Sequence, residues 1–212
     1  MTSSNEDGSV SMEAPLNIYA LAAQLAQEGT VTDKVAHGYL PYYDRHLADL
    51  RNRLGVPGVL VEIGVADGAS LRLWSRWLHG TTIVGIDINA RTDLASDLEE
   101  PYVHILQGDI NHEDSPARVC AWGIPDVVID DGSHQPDDQV HAFKTLWPLV
   151  RPGGWYVIED LRTCFEPGWG GSIDKPNAAF GRLVGILQAV LVGGEITELH
   201  AYEEIVFMRK AS

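Results

Sequence analysis

Apolar positions along the chain follow two periods. Near the N-terminus they recur every three to four residues. Leu16, Ala20, Leu21 and Leu25 predict a helix over 15–28. Tyr43, Leu47, Leu50 and Leu54 predict a second, which starts near Pro41, a favoured first helical position, and stops at Gly55 and Pro57. After that, short runs of β-forming residues take over, at 58–63, 82–86, 102–106, 126–129 and 155–158. Helical stretches at 69–78 and 137–149 alternate with these runs. A further helix over 177–192 precedes strands near 195–200 and 204–209, which no helix separates. Alternating strands and helices predict an α/β fold: a seven-stranded Rossmann-like sheet, mostly parallel, with helices on both faces. The closing hairpin predicts one antiparallel edge strand.

Composition adds boundaries. The chain has 212 residues, enough for one substantial core, so 15–212 reads as a single domain. Residues 1–14 are small, polar and acidic and read as a disordered tail. The helices over 15–57 form an N-terminal cover. Residues 161–176 carry Gly168, Gly170, Gly171, Pro167 and Pro176 and read as an active-site lid, in which Phe165 and Trp169 offer aromatic faces. Trp74, Trp77 and Trp147 sit at helical spacing and read as core. The net charge of −15 argues against nucleic acid or an anionic membrane as partner. Cys120 and Cys164 form no disulfide framework, and neither a secretory leader nor a membrane span is visible, so a cytoplasmic protein is expected. The exposed face of the helix over 177–192 could serve a homodimer.

Candidate chemistry follows from what stands after each strand, because ligands of open α/β sheets bind beyond the strands' carboxyl ends. The first strand gives Glu62-Ile-Gly64, then Gly68 and Ser70. The second gives Asp87, the third Asp109, the fourth Asp130-Asp131-Gly-Ser-His134, and the fifth Glu159-Asp160. Every one of the five ends in a carboxylate. Gly64 permits a tight turn and Gly68 a close backbone approach to a ligand. The loop lacks the dinucleotide pattern GxGxxG, since Ala66 and Ala69 replace two of its glycines, and it has no phosphate-binding lysine. Asp87 stands where an acid accepts from ribose hydroxyls, and Asp109 where one receives an adenine amine. Those donors suit an adenosyl ligand without phosphates. If the fourth and fifth strands are neighbours, they lie about 4.8 Å apart, so Asp131, Glu159 and Asp160 converge and need a cation between them. Hard oxygen ligands favour Mg²⁺, with Mn²⁺ or Ca²⁺ as alternatives.

These motifs resemble the class I S-adenosylmethionine-dependent methyltransferases, whose first motif is an acid followed by glycines. Glu62-Ile-Gly-Val-Ala-Asp-Gly-Ala-Ser-Leu-Arg-Leu-Trp74, Asp130-Asp-Gly-Ser-His134 and Glu159-Asp160 more narrowly resemble the metal-dependent sugar O-methyltransferases of macrolide biosynthesis. Thr32-Asp-Lys-Val-Ala-His-Gly-Tyr39, with Tyr42 or Tyr43, resembles that family's cofactor-covering segment. The resemblance covers about residues 31–165, and Ala66 departs from the commoner glycine. It implies S-adenosylmethionine on Glu62, Gly64, Gly68, Ser70, Asp87, Asp109 and Asp130. It implies Mg²⁺ on Asp131, Glu159 and Asp160, and His134 as general base, a role that its near-neutral imidazole suits. The implied acceptor is a carbohydrate hydroxyl on a small molecule or oligosaccharide. A similarity to the 1-O-methyltransferase of methylmannose polysaccharide biosynthesis, and the shortness of the chain, lean the expectation toward a mannoside over an antibiotic sugar. A nicotinamide oxidoreductase and a non-catalytic cofactor-binding module are the competing classes.

Overall fold

The computed structural model describes residues 17–212 apart from 54, 55, 92, 99, 173, 175 and 177. The expected tail over 1–14, and the predicted positions Leu16, Leu54 and Gly55, lie outside the described residues. Asn17 caps the first helix, α1 (Ile18–Gln27), where its Oδ1 accepts from the amides of Tyr19 at 2.9 Å and Ala20 at 3.2 Å. The second predicted helix is broken into α2 (Leu40–His46) and α3 (Ala48–Arg51). The central elements follow in order: β1 (Val59–Ile63), α4 (Ala69–Trp77), β2 (Thr82–Asp87), α5 (Leu94–Leu98), β3 (Val103–Gln107), α6 (Ser115–Val119) and β4 (Val127–Asp130). The chain closes with α7 (Pro136–Leu146), β5 (Trp155–Ile158), α8 (Ala178–Val192), β6 (Ile196–Ala201) and β7 (Val206–Lys210). The short helices α5 and α6, about one turn each, carry too little periodicity to be read from sequence.

The strands form one seven-stranded sheet in the order β3-β2-β1-β4-β5-β7-β6. Strands β1 to β5 pair in parallel, and β7 pairs antiparallel with both β5 and β6. The antiparallel strand of the closing hairpin is therefore β7, one place in from the rim, with β6 outermost. A hairpin can add its second strand nearest the sheet, and the broad pairing of β5 with the buried Val206, Phe207 and Met208 favours that choice.

Alternation along the strands sorts the core into two layers. Leu60, Val127, Ile129, Trp155 and Val157 pack beneath α1, α2 and α4 with Tyr43, Trp74 and Trp77. Val59, Val61, Ile63, Val128, Tyr156 and Ile158 face the opposite layer with Phe143, Leu146 and Trp147. Trp74, Trp77 and Trp147 are buried core residues, as their spacing predicts. The predicted lid begins as two 3₁₀ turns, Leu161–Phe165 and Pro167–Trp169. Among the described residues, no helix is long and apolar enough to cross a membrane.

Candidate active site

The β1–α4 turn is shaped by backbone constraints. Gly64 adopts φ +88°, and a Cβ there would stand 2.0 Å from the carbonyl oxygen of Asp131, so only glycine lets the turns after β1 and β4 lie against each other. Gly68 adopts φ +80° as the residue capping α4, where an added Cβ would meet the side chain of Leu98 at 3.0 Å. The non-glycine residues with positive φ among the described residues are Ala66 (46°), His134 (56°) and Asp160 (56°). All three follow the ends of β1, β4 and β5. Backbone strain of this kind costs about 1–3 kcal/mol per residue and gathers where function demands a particular geometry.

A cleft runs across that end of the sheet in two adjoining parts of about 470 and 500 Å³, which share Gly64, Asp87 and Gly132. Asp109, Asp130, Asn89 and Ile110 line the first part. Thr32, Asp33, Ser70, Asp131 and His134 line the second. Asp87 is fixed from both sides. Its Oδ2 accepts from the amides of Val65 at 2.9 Å and Ala66 at 3.4 Å, and its Oδ1 accepts from Asn89 at 2.7 Å. Asp109 accepts from the Asn111 amide at 2.8 Å. Asp130 is buried on the layer of Val128 and Tyr156. Burial, opposed by the Gly132 amide and reinforced by the charges of Asp131 and Asp138, pushes its carboxyl up to about 7. Its Oδ2 has no hydrogen-bond partner among the described residues.

Alternation sends the next acids the other way. Glu62, Asp131 and Glu159 emerge on the layer beneath the N-terminal cover, at the ends of the neighbouring strands β1, β4 and β5. There they meet Lys34, which is wholly buried. Its Nζ donates to Asp131 Oδ2 at 2.7 Å and to both Glu159 oxygens at 3.0 Å, and forms an ion pair with Glu62 Oε1 at 3.1 Å. The Tyr43 hydroxyl also donates to Glu159. Burial disfavours the ammonium, but Glu159, Glu62 and Asp131 outweigh it and hold its pKa well above the usual lysine value. Burial likewise pushes Glu62, Asp131 and Glu159 up, with Lys34 opposing in each case. Glu62 further accepts from Ser70 Oγ at 2.9 Å and Trp74 Nε1 at 3.1 Å.

Asp160 turns back toward the cleft because of its left-handed backbone. Its Oδ2 lies 3.5 Å from His134 Nδ1, while its Oδ1 accepts from the Tyr39 hydroxyl at 2.7 Å and faces His37 Nδ1 at 3.2 Å. Asp131, His134 and Asp160 each bring one donor atom within 4.8 Å of the others, which is the spacing that a single cation spans. The carboxylates of Asp131 and Asp160 are the hard oxygen donors in this group that suit a divalent ion. The Trp169 ring stands edge-on to His134 at 6.4 Å, and Thr163 Oγ1, within reach of the Asp160 and His134 carbonyls at 2.9 and 3.0 Å, ties the 3₁₀ turn to the His134 backbone.

The predicted site residues thus divide. Gly64, Ser70, Asp87, Asp109, Asp130, Asp131 and His134 line the cleft, and Asp160 flanks His134. Glu62, expected against the cofactor, lies behind the turn and lines neither part, because β alternation points it at Lys34. Gly68, expected to approach the ligand, serves the start of α4. Glu159, expected beside Asp131 and Asp160 on the metal, directs both oxygens at Lys34. Phe165 lines neither part of the cleft. Lys34, Tyr39 and Tyr43, which sequence reasoning left without individual roles, contact the strand-end acids from the covering segment or beside it.

Comparison with known proteins finds similarity to methyltransferases. Residues 61–161 match the family described as a methyltransferase domain. The mycinamicin VI 2''-O-methyltransferase of Micromonospora griseorubida is 34% identical over 200 residues, covering 82% of this chain and 48% of that protein. The demethylmacrocin O-methyltransferase of Streptomyces fradiae is 39% identical over 146 residues, covering 65% and 35%. The chain spans half or less of the length of these curated relatives. The solved structure of the MycE methyltransferase from the mycinamycin biosynthetic pathway, in complex with Mg, SAH and mycinamycin VI, superimposes with a TM-score of 0.76 at 33% identity, over 92% of this chain and 55% of that one. The glycine turn, the acids at successive strand ends and this shared architecture accord with the methyltransferase domain that residues 61–161 match.

Proposed function

We propose that the chain transfers a methyl group from S-adenosylmethionine to a hydroxyl of a small-molecule sugar, with a divalent cation at the acceptor side. The observation that carries this reading is the two-part cleft over Gly64 and Asp87, with Asp109 on one side and Asp131 and His134 on the other. Asp87 would receive the ribose hydroxyls on lone pairs left by its backbone partners, and Asp109 would face the adenine. Asp131 and Asp160 would hold the cation. When bound, that ion supplies positive charge that favours an ionised acceptor oxygen.

His134 would act as the general base. Its Nδ1 faces Asp160, which leaves Nε2 to take the hydroxyl proton and lets Asp160 stabilise the imidazolium that results. The acceptor O–H bond breaks, an O–CH₃ bond forms, and the S–CH₃ bond electrons leave on sulfur. Holding oxygen and methyl at attack distance accounts for much of the rate expected.

The acceptor favoured by the comparisons is a sugar of an antibiotic. The two curated relatives described above are named for mycinamicin VI and demethylmacrocin. The mannoside expected from sequence gives way to that class, because the relatives matched are named for antibiotic sugars and none for a mannoside among those compared. Incubation with labelled S-adenosylmethionine and a panel of macrolide glycosides, rhamnosides, methylated mannosides and catechols tests the reading. Labelling of deoxysugar glycosides is expected; labelling of catechols alone would overturn it.

A further inference from the structure

Lys34 takes no part in the methyl-transfer scheme, yet it is wholly buried and paired with three carboxylates. Burying an ammonium costs several kcal/mol unless its surroundings compensate. Here they do, and the compensating groups belong to the site: Asp131 from the end of β4, and Glu62 and Glu159 from β1 and β5. Lys34 itself arrives from the short turn Asp33–Val35, whose cap Thr32 accepts from the Lys34 amide at 3.4 Å. Val31, Thr32 and Asp33, directly before it, wall the part of the cleft that holds Asp131 and His134. A few residues on, Tyr39 donates to Asp160 and Tyr43 to Glu159. The covering segment is thus clipped to the sheet through the carboxylates of the site.

We propose that Lys34 is a positioning residue that holds the Thr32–Tyr39 cover over the cofactor cleft and whose fixed charge beside Asp131 moderates the site's attraction for a divalent cation. It touches neither cofactor nor acceptor. The inference rests on the cleft being a cofactor site, as proposed above. It has a signature that plain destabilisation lacks. Without the ammonium, the wall at Val31–Asp33 loosens and cofactor binding weakens. At the same time Asp131 and Glu159 lose their internal counter-charge, so the site attracts a divalent cation more strongly. A merely damaged fold would weaken both.

The test uses Lys34→Met in the full chain. S-adenosylhomocysteine binding is measured by calorimetry in EDTA, and Mn²⁺ binding by electron paramagnetic resonance of the free ion. The expected result is a Kd for S-adenosylhomocysteine raised at least 10-fold, a Kd for Mn²⁺ lowered at least 3-fold, and faster amide exchange over 31–39. Unchanged cofactor binding, or weakened Mn²⁺ binding, would overturn the inference. Failure of the wild-type chain to bind S-adenosylhomocysteine would instead strike the proposed function. Should the variant not fold, acetylation of the wild-type chain decides. Lys34 is expected to react far more slowly than the exposed Lys144, and more slowly again with S-adenosylhomocysteine present. Labelling of Lys34 at the rate of Lys144, or at a rate indifferent to the ligand, would overturn the clip.

Discussion

Gly64→Ala should separate catalysis from folding. Gly64 holds φ +88°, and the new Cβ would lie 2.0 Å from the Asp131 carbonyl oxygen and 2.7 Å from its carbon. Ordinary contact between such atoms is about 3.5 Å, so the turns after β1 and β4 must part by roughly 1 Å or more. The left-handed backbone adds about 1–3 kcal/mol of strain. For a domain of this size that lowers Tm by about 2–4 °C per kcal/mol, which leaves the protein folded at 25 °C. The displaced residues, however, are Asp131 and Gly132, which line the cleft beside His134. A misplacement of about 1 Å there costs on the order of 10²-fold in rate. Gly68→Ala is the control, with φ +80° but a clash against Leu98 side-chain carbons alone, at 3.0 Å. Methyl transfer from labelled cofactor and thermal unfolding should show kcat/KM falling at least about 100-fold for Gly64→Ala and less than about 10-fold for Gly68→Ala, at similar losses of Tm. Near wild-type activity in Gly64→Ala, or an equal loss in both variants, would refute the assignment of the two glycines.

Other expectations follow from the same geometry. His134→Ala should lower kcat by about 10²–10⁴ with little change in cofactor affinity by calorimetry. Activity should vanish in EDTA and return with Mg²⁺, and Asp131→Asn should abolish turnover while cofactor binding persists; full activity after exhaustive chelation would contradict the cation site. Burial, helped by the charges of His200 and Arg45, pushes the His46 imidazole down to about 4, beneath a Tyr202 hydroxyl 2.9 Å away. The unfolded chain takes up this proton near pH 6.5 and the folded chain near 4, so stability falls as pH drops through that window. Urea unfolding should show wild type losing about 1–2 kcal/mol more than His46→Gln between pH 7 and pH 5.

Much of this was legible in the chain. The apolar runs placed the strands to within a residue or two, because buried parallel strands need continuous β-formers. Strand ends marked the acids, but not their directions, and direction decided their roles. Alternation alone separates Glu62 from Val61 and Ile63, and Asp130 from Asp131; applied to the strand ends, it would have put Glu62, Asp131 and Glu159 on one face. Three carboxylates on one face, with Glu62 and Glu159 buried, call for a cation from whatever covers them, and Lys34 lies within the covering segment. Asp160 escapes such reasoning. Its left-handed backbone reverses the direction that strand periodicity would assign, and nothing in Glu159-Asp160-Leu161 signals the reversal.

Titration calorimetry of the chain with S-adenosylhomocysteine, set beside NADH, tests the central claim most directly. The account predicts micromolar S-adenosylhomocysteine binding that Asp87→Ala weakens by about 1–3 kcal/mol, the scale of a lost hydrogen bond to a charged group, and far weaker binding of NADH. Tighter NADH binding, or an Asp87→Ala variant that binds S-adenosylhomocysteine as well as wild type, would contradict it.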